Sequence, residues 1–232
     1  MPSFLYFPFD PLYLYLVLPA MVFAMVAQFM VSSRFKKYSK LRTMRGVTGA
    51  AAAQMVLRNA GVTGVRIERV SGKLSDHFDP RKNVIRLSDS VHDMASVAAV
   101  GVAAHEAGHA IQYARSYAPM KIRAAIIPIT NIGSMLAIPL VMAGFIFEMM
   151  GLVNIGIILF GAVVVFQLIT LPVEFNASRR AMNTLRGTGI LSSEEAPAAR
   201  KVLTAAAMTY VGALAVSLAQ LIRLMAMANR RR

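Results

Sequence analysis

The chain has 232 residues, of which 56% are hydrophobic, and a mean hydropathy of +0.55, which excludes an ordinary soluble domain. It contains no cysteine, which excludes disulfides and thiolate metal ligands. The formal net charge of +14 is concentrated partly in a basic cluster directly after the first apolar run, where charge is typical of a segment facing the cytoplasm and anionic lipid. The cluster consists of Arg34, Lys36, Lys37, Lys40, Arg42 and Arg45. No nucleic-acid-binding motif accompanies it, so the predicted partner is the lipid bilayer and not nucleic acid.

The first apolar run, residues 12–31, is about as long as a helix that spans a bilayer. Asp10 precedes it and no basic segment does, which favours a retained N-terminal transmembrane anchor, residues 1–33, over a cleaved signal peptide. The basic cluster after the run predicts that the N terminus lies outside and that the next region lies inside the cell.

Residues 34–123 are predicted to form a cytoplasmic catalytic region. A helix is predicted over residues 46–61, and alternating side chains predict strands at 65–70 and 83–87, joined by a polar, turn-rich connection. Ser90 with Asp93 three positions later is typical of a capping box, so the central helix is predicted to run from Ser90 to about Ser116.

The central helix contains the sequence HEAGH, residues 105–109. Histidines four apart project from one face of a helix, so the imidazoles of His105 and His109 can bind one metal ion. Zinc peptidases use this arrangement, with the intervening glutamate, here Glu106, as the base for a zinc-activated water. The alternative is that both histidines simply pack in a helix of small residues. The metal site is favoured because a buried His-Glu-His cluster without a metal would be costly.

Two further apolar runs, residues 124–149 and 152–171, can each span a bilayer, and no Lys or Arg lies between them. They predict a transmembrane helical hairpin over residues 124–173 whose turn faces outside. The last apolar run, residues 202–221, is basic at both ends, so charge does not orient it. A fourth span followed by a basic tail, together residues 202–232, is favoured over a buried helix packed on the hairpin.

Glu174 lies where the hairpin returns to the inner side, at the start of a predicted cytoplasmic segment over residues 174–201. A catalytic zinc site needs a third protein ligand and one position open to water. A glutamate beside the bilayer is otherwise unfavourable, so Glu174 is the predicted third ligand. A carboxylate at a helix start, or one paired with Arg179 or Arg180, is the alternative reading. The rival ligands upstream are Asp76, Asp79, Asp89 and Asp93.

The stretches HEAGHAIQ, LPVEFNASRRA and LSDHFDP resemble those of the YugP-type membrane zinc metallopeptidases, over nearly the full length of the chain. More distantly, the layout is similar to the gluzincin membrane proteases, including HtpX and the CAAX prenyl proteases. The resemblance implies one Zn²⁺ per chain, bound by His105, His109 and Glu174, with Glu106 as general base. It implies a mainly α membrane protein, in which transmembrane helices accompany a small cytoplasmic zincin-like α+β domain with a short β-hairpin or sheet.

The chain departs from the gluzincin pattern at one position. Many gluzincins have an aspartate four residues after the ligand glutamate, where it orients a ligand histidine; here that position is Ser178. A hydroxyl can still accept the imidazole N–H, although it raises the basicity of the ligand less than a carboxylate does. Asn176 is a second candidate for this role. His77, Tyr113 and Arg179 are candidates for binding substrate or stabilising the oxyanion.

The sequence therefore predicts a multi-pass, zinc-dependent endopeptidase of a bacterial cytoplasmic membrane. Its active site would face the cytoplasm and hydrolyse peptide bonds of membrane-protein or peptide substrates. The alternative is a zinc-binding, non-proteolytic membrane scaffold or regulatory protein. The presence of Glu106 argues against that alternative, because a protein without catalysis would be free to lose the base. The sequence makes no prediction of oligomeric state.

Overall fold

The computed structural model describes residues 10–230. Residues 1–9, which begin the predicted anchor, and residues 231–232, which end the predicted basic tail, lie outside the described residues. The chain forms two compact units. We call them the membrane-helix unit (Met1–Ala27, Ile122–Leu171 and Met208–Arg232) and the motif unit (Gln28–Lys121 and Pro172–Ala207).

Helices dominate the described part of the chain, and a small sheet lies between the second and third of them. In chain order the elements are α1 (Leu18–Tyr38), α2 (Gly49–Asn59), β1 (Arg66–Val70), β2 (His77–Asp79), β3 (Val84–Ser88), α3 (Val97–Ala114), α4 (Ala118–Ile146), α5 (Met150–Gly187) and α6 (Ala196–Asn229). A π-helix, Tyr13–Val17, leads into α1. Within residues 10–230, four helices are long and apolar enough to cross a membrane: α1 with its π-helix, α4, α5 and α6. This confirms the predicted mainly α membrane protein, and α6 is long enough for the predicted fourth span.

Small residues let the helices of the membrane-helix unit approach closely. A Cβ added to Gly212 of α6 would lie 2.9 Å from the Cα of Ala24 in α1. A Cβ on Gly156 of α5 would lie 2.7 Å from the carbonyl oxygen of Ala137 in α4. Because lipid provides little hydrophobic drive for helix association, such close contacts are a main source of stability within a bilayer.

A charged pair joins the start of the first apolar helix to the end of the last one. Nε of Arg223 in α6 donates a hydrogen bond of 2.6 Å to Oδ2 of Asp10, and only 4% of the Arg223 side chain is exposed. The guanidinium also lies 5.2 Å from the ring centroid of Tyr13. The cation therefore has both a carboxylate and an aromatic face as partners.

The sheet of the motif unit has the strand order β1-β3-β2. β1 pairs with β3 in parallel, and β2 pairs with β3 antiparallel. Both predicted strands therefore form, at residues 66–70 and 84–88. The sequence did not predict β2, because its residues belong to a connection rich in polar and turn-forming side chains. The central strand packs into the core, where Ile85 and Leu87 are fully buried.

The helix that carries HEAGH begins later than predicted. Ser96 is its N-cap, and its hydroxyl accepts a hydrogen bond of 3.3 Å from the N–H of Ala99. The predicted start at Ser90 is wrong, because the chain after β3 forms a turn in which the N–H groups of Val91 and His92 bond to the carbonyl of Ser88. The small residues around the motif are buried, so α3 packs tightly on several sides.

Helix α5 continues without a break from the apolar run through Pro172 and Glu174 to Gly187. The boundary predicted between residues 173 and 174 therefore lies inside one helix. The two compact units divide close to it, between Leu171 and Pro172.

Candidate metal centre

Three side chains of the motif unit bring one donor atom each to a common point. Nε2 of His105 lies 3.1 Å from Nε2 of His109 and 3.2 Å from Oε2 of Glu174. The remaining edge, from Nε2 of His109 to Oε2 of Glu174, is 3.5 Å. Two atoms bound to a tetrahedral zinc at the usual bond lengths are about 3.3 Å apart. The two imidazoles and the carboxylate therefore fit zinc in both chemistry and spacing, with a fourth position left for water.

The donor atoms meet because α3 and α5 approach closely. His105 and His109 lie one turn apart on α3, and Gly108 faces α5 beside them. A Cβ added to Gly108 would lie 2.6 Å from the carbonyl oxygen of Ala177. Glu174 lies almost one turn before Ala177 on α5, so this contact brings its carboxylate to the histidines.

The site is buried and rich in negative charge. Only 8% of Glu106, 8% of His109 and 2% of Glu174 are exposed. Burial disfavours the charged form of His109, but the hydrogen bond to Glu174 and the charges of Glu106 and Glu174 outweigh it and raise the pKa of His109 above its ordinary value. Two carboxylates in such a place favour a bound cation.

Both nitrogens of His105 contact α5. Nε2 faces Glu174, and Nδ1 lies 3.0 Å from the hydroxyl oxygen of Ser178. Glu174 and Ser178 are four residues apart on α5, so they project from the same face of the helix. When the Nδ1–H donates to Ser178, the lone pair of Nε2 points toward the other donor atoms.

His109 has a partner that sequence reasoning missed. Its Nδ1 lies 3.0 Å from Oε1 of Gln112, which is fully buried. Gln112 in turn contacts Asn176, which the sequence suggested as a partner of a histidine, and Asn176 accepts a hydrogen bond of 2.7 Å from Nε of Arg180. One signal pointed to Gln112: a polar side chain three residues after a ligand histidine lies on the same side of the helix.

Glu106 is close enough to act electrostatically on Asp76, which lies just before β2. Asp76 accepts hydrogen bonds from the backbone N–H of Ser88, at 2.7 Å, and from its hydroxyl, at 3.1 Å. Burial raises the pKa of Asp76 above its ordinary value; the bonds from Ser88 oppose this shift, and the charge of Glu106 adds to it. Asp76 is therefore an acidic neighbour of the predicted base.

Other sequence candidates are not brought into the cluster of donor atoms. His77 is exposed on β2, where its Nδ1 lies 2.8 Å from the carbonyl oxygen of Ser75. Arg179 is exposed on α5. Tyr113 is half exposed, and its ring centroid lies 5.8 Å from that of Phe78.

The rival aspartates have other partners. Asp79 forms an ion pair of 3.1 Å with Arg86, while Asp89 and Asp93 both pair with Arg69. The acidic side chain that joins the two histidines is thus Glu174.

Membrane-length helices combined with a His-His-Glu donor set, in which His109 and Glu174 are buried, define a membrane protein with a candidate zinc centre. The family model described as "Putative neutral zinc metallopeptidase" matches residues 13–229, and the chain belongs to this family. It is 44% identical over 212 residues to "Putative membrane protease YugP" of Bacillus subtilis (strain 168), an alignment that covers 91% of this chain and 94% of the relative. No solved structure matches the chain. The resemblance to the YugP-type membrane zinc metallopeptidases found in the sequence is thereby confirmed.

Proposed function

We propose that the chain is a zinc-dependent endopeptidase of the cell membrane. In this proposal His105, His109 and Glu174 bind zinc, and Glu106 is the general base. The observation that carries it is the triangle of donor atoms, whose edges of 3.1, 3.2 and 3.5 Å suit a tetrahedral zinc and leave one position for water. The membership in a family described as zinc metallopeptidases, and the likeness to a relative described as a membrane protease, support the same reaction.

Zinc bound at this site would supply a Lewis acid that polarises a peptide carbonyl and lowers the pKa of a water. Residues of the chain carry out the proton transfers. Glu106 is buried and directly follows His105 on α3, and its charge acts on His109, so the proposed base lies near the donor atoms in a site of low dielectric. It accepts a proton from the attacking water and donates it to the amine that leaves when the C–N bond breaks.

The catalytic region is proposed to face the cytoplasm and to cut membrane-protein or peptide substrates there. Lys36 and Lys37 lie in the last turn of α1, whereas Asp10 precedes that helix. Basic residues after a span are typical of the cytoplasmic side. The residues of HEAGH follow this basic segment on the chain with no membrane-length helix between them among the described residues.

The test compares wild type with Glu106→Gln, both as full-length protein in detergent. The expected result is equal zinc content and loss of hydrolysis of fluorescein-labelled casein, because the amide keeps the shape of the side chain but accepts no proton. Glu194→Gln, at an exposed position of the motif unit, is the matched control and should cut like wild type. Undiminished cleavage by Glu106→Gln contradicts the mechanism. Zinc-loaded wild type that cuts neither casein nor a peptide library favours the non-proteolytic scaffold.

A further inference from the structure

Gln112 is a fully buried polar side chain beside the zinc ligands, on the last turns of α3. Its Oε1 lies 3.0 Å from Nδ1 of His109. Its Nε2 donates hydrogen bonds of 2.8 Å to the carbonyl oxygen of Val173 and 3.0 Å to Oδ1 of Asn176. Because Gln112 is fully buried, the loss of any of these three hydrogen bonds would be costly.

The orientation of the Gln112 amide is determined by its neighbours. The carbonyl oxygen of Val173 can only accept a hydrogen bond, so the group facing it must be the NH₂. Oε1 therefore points at His109, and since Oε1 can only accept, the proton must lie on Nδ1 of His109. The other ring nitrogen, Nε2, is then the one with the free lone pair, and it is the atom that faces His105 and Glu174.

The contacts of Asn176 support the same orientation of the Gln112 amide. Oδ1 of Asn176 accepts one hydrogen bond from Gln112 and a second, of 2.7 Å, from Nε of Arg180. A guanidinium can only donate hydrogen bonds, so the atom of Asn176 that faces both Arg180 and Gln112 must be the oxygen Oδ1. Val173, Asn176 and Arg180 all belong to α5, the helix that carries Glu174.

We propose that Gln112 is a positioning residue that holds His109 in the Nδ1–H tautomer and links this tautomer to α5 through its own hydrogen bonds to that helix. This inference rests on the proposed zinc site. One amide thereby connects the second ligand, His109, to the backbone of the residue immediately before the third ligand, Glu174. Partners of this kind typically contribute 10–100-fold to metal affinity, because they fix the tautomer and the orientation of the imidazole.

The tautomer is measured by ¹⁵N NMR of the ring nitrogens in protein labelled only at histidine, at a pH where the imidazoles are neutral. The chain has four histidines, and the resonances of His109 are assigned with His109→Ala. Wild type should show the proton on Nδ1 of His109, with and without zinc. An Nε2–H tautomer in the metal-free wild type overturns the inference, and this result needs no variant of Gln112 to fold.

Zinc affinity of the full-length protein in detergent is measured by competition with a chelator. Gln112→Met keeps the length of the side chain but loses the acceptor, so zinc should bind about 10–100-fold more weakly. Gln112→Glu keeps an acceptor for Nδ1–H of His109 but loses the donor to Val173 and Asn176, so it should keep the Nδ1–H tautomer while zinc binds more weakly than in wild type. Gln167→Met removes a hydrogen bond to Ser217 in the membrane-helix unit and should leave the affinity unchanged.

The outcomes separate the two proposals. Wild-type affinity in Gln112→Met, together with an unaltered His109 tautomer, overturns the role of Gln112 and leaves the zinc site standing. A wild-type protein that binds no zinc overturns the proposed function, while the tautomer of His109 in the metal-free protein still decides whether Gln112 positions it.

Discussion

The α-carbon of Gly108 faces the carbonyl oxygen of Ala177 so closely that an added Cβ would lie 2.6 Å from that oxygen. Neither atom can yield easily, because both belong to helix backbone. Gly108→Ala should therefore push α5 away from α3 and separate Glu174 from the histidines. Zinc affinity should fall at least about tenfold, as for other losses of ligand placement, and chelator competition measures it. Gly161→Ala is the control, since a Cβ there meets nothing within 4 Å; equal affinities for both variants would contradict the expectation.

Glu174→Ala removes the proposed third ligand. Losing a partner of a ligand costs up to about 100-fold in affinity, so losing the ligand itself should cost at least that much. Zinc should also raise the thermal stability of wild type but not of the variant, because a ligand that binds only the folded state stabilises it. Metal analysis and melting curves with and without zinc test both points. Unchanged zinc content would redirect the search to the upstream aspartates, first to Asp76.

Ser178 offers His105 a hydroxyl where a carboxylate would make the imidazole a stronger ligand. Its oxygen lies 3.0 Å from Nδ1 of His105. Ser178→Ala should weaken zinc binding by about tenfold, and Ser178→Asp should strengthen it above wild type, because the carboxylate accepts the Nδ1–H and raises ligand basicity. The order Asp, Ser, Ala in a chelator titration is the expected result. An aspartate variant that binds more weakly than alanine would show that Ser178 only fills space.

The raised pKa of Asp76 predicts that the free energy of unfolding depends on pH. Its pKa in the folded protein is raised, chiefly by burial, above the ordinary value of the unfolded chain. The folded state therefore binds this proton more tightly than the unfolded state, so stability falls as the pH rises from the ordinary to the raised pKa. Asp76→Asn keeps an acceptor for the N–H of Ser88 and removes this dependence. The melting temperature of the variant relative to wild type should rise between pH 4 and pH 7; a constant difference would contradict the shift.

Single-cysteine labelling tests which ends of the apolar helices share a side of the membrane. The natural sequence has no cysteine, so each introduced thiol is the only target. Leu224 and Ala228 near the end of α6 pack with Val141, Phe145 and Val153 around the α4–α5 turn. Glu148→Cys and Asn229→Cys should therefore react with a membrane-impermeant reagent from the same side. Labelling from opposite sides would contradict this packing.

The three proposed zinc ligands could be predicted from the sequence because their signals are a short motif and the order of the apolar runs. His105 and His109 follow from the helical period alone. Glu174 follows from a count of apolar runs, which returns it to the side of the motif. The contacts of Gln112 with Val173 and Asn176 were not predictable, because these partners lie 61 and 64 residues away on another helix, whereas its contact with His109 is local. Sequence spacing does not reveal which amide faces which carbonyl.

The start of α3 and the strand β2 were missed for a related reason. Ser90 and Ser96 both suit an N-cap, and the choice is made by distant contacts: the N–H of Val97 bonds to the carbonyl of Leu41, and that of Thr43 bonds to the carbonyl of Ala95. Short strands such as β2 depend on the neighbour they pair with more than on their own propensity.

The Asp10–Arg223 pair constrains how many times the chain can cross the membrane. It sets the beginning of the first apolar helix beside the end of the last. In a bilayer this pairing requires an even number of crossings between Asp10 and Arg223 and sets both residues at the same side. With the start of α1 outside, as the basic cluster after α1 favours, Arg223 and Arg230 lie outside too, against the usual charge bias. Asp10 neutralises Arg223, whose side chain is only 4% exposed, so an acidic residue ahead of the first span offsets the cost of placing this arginine there.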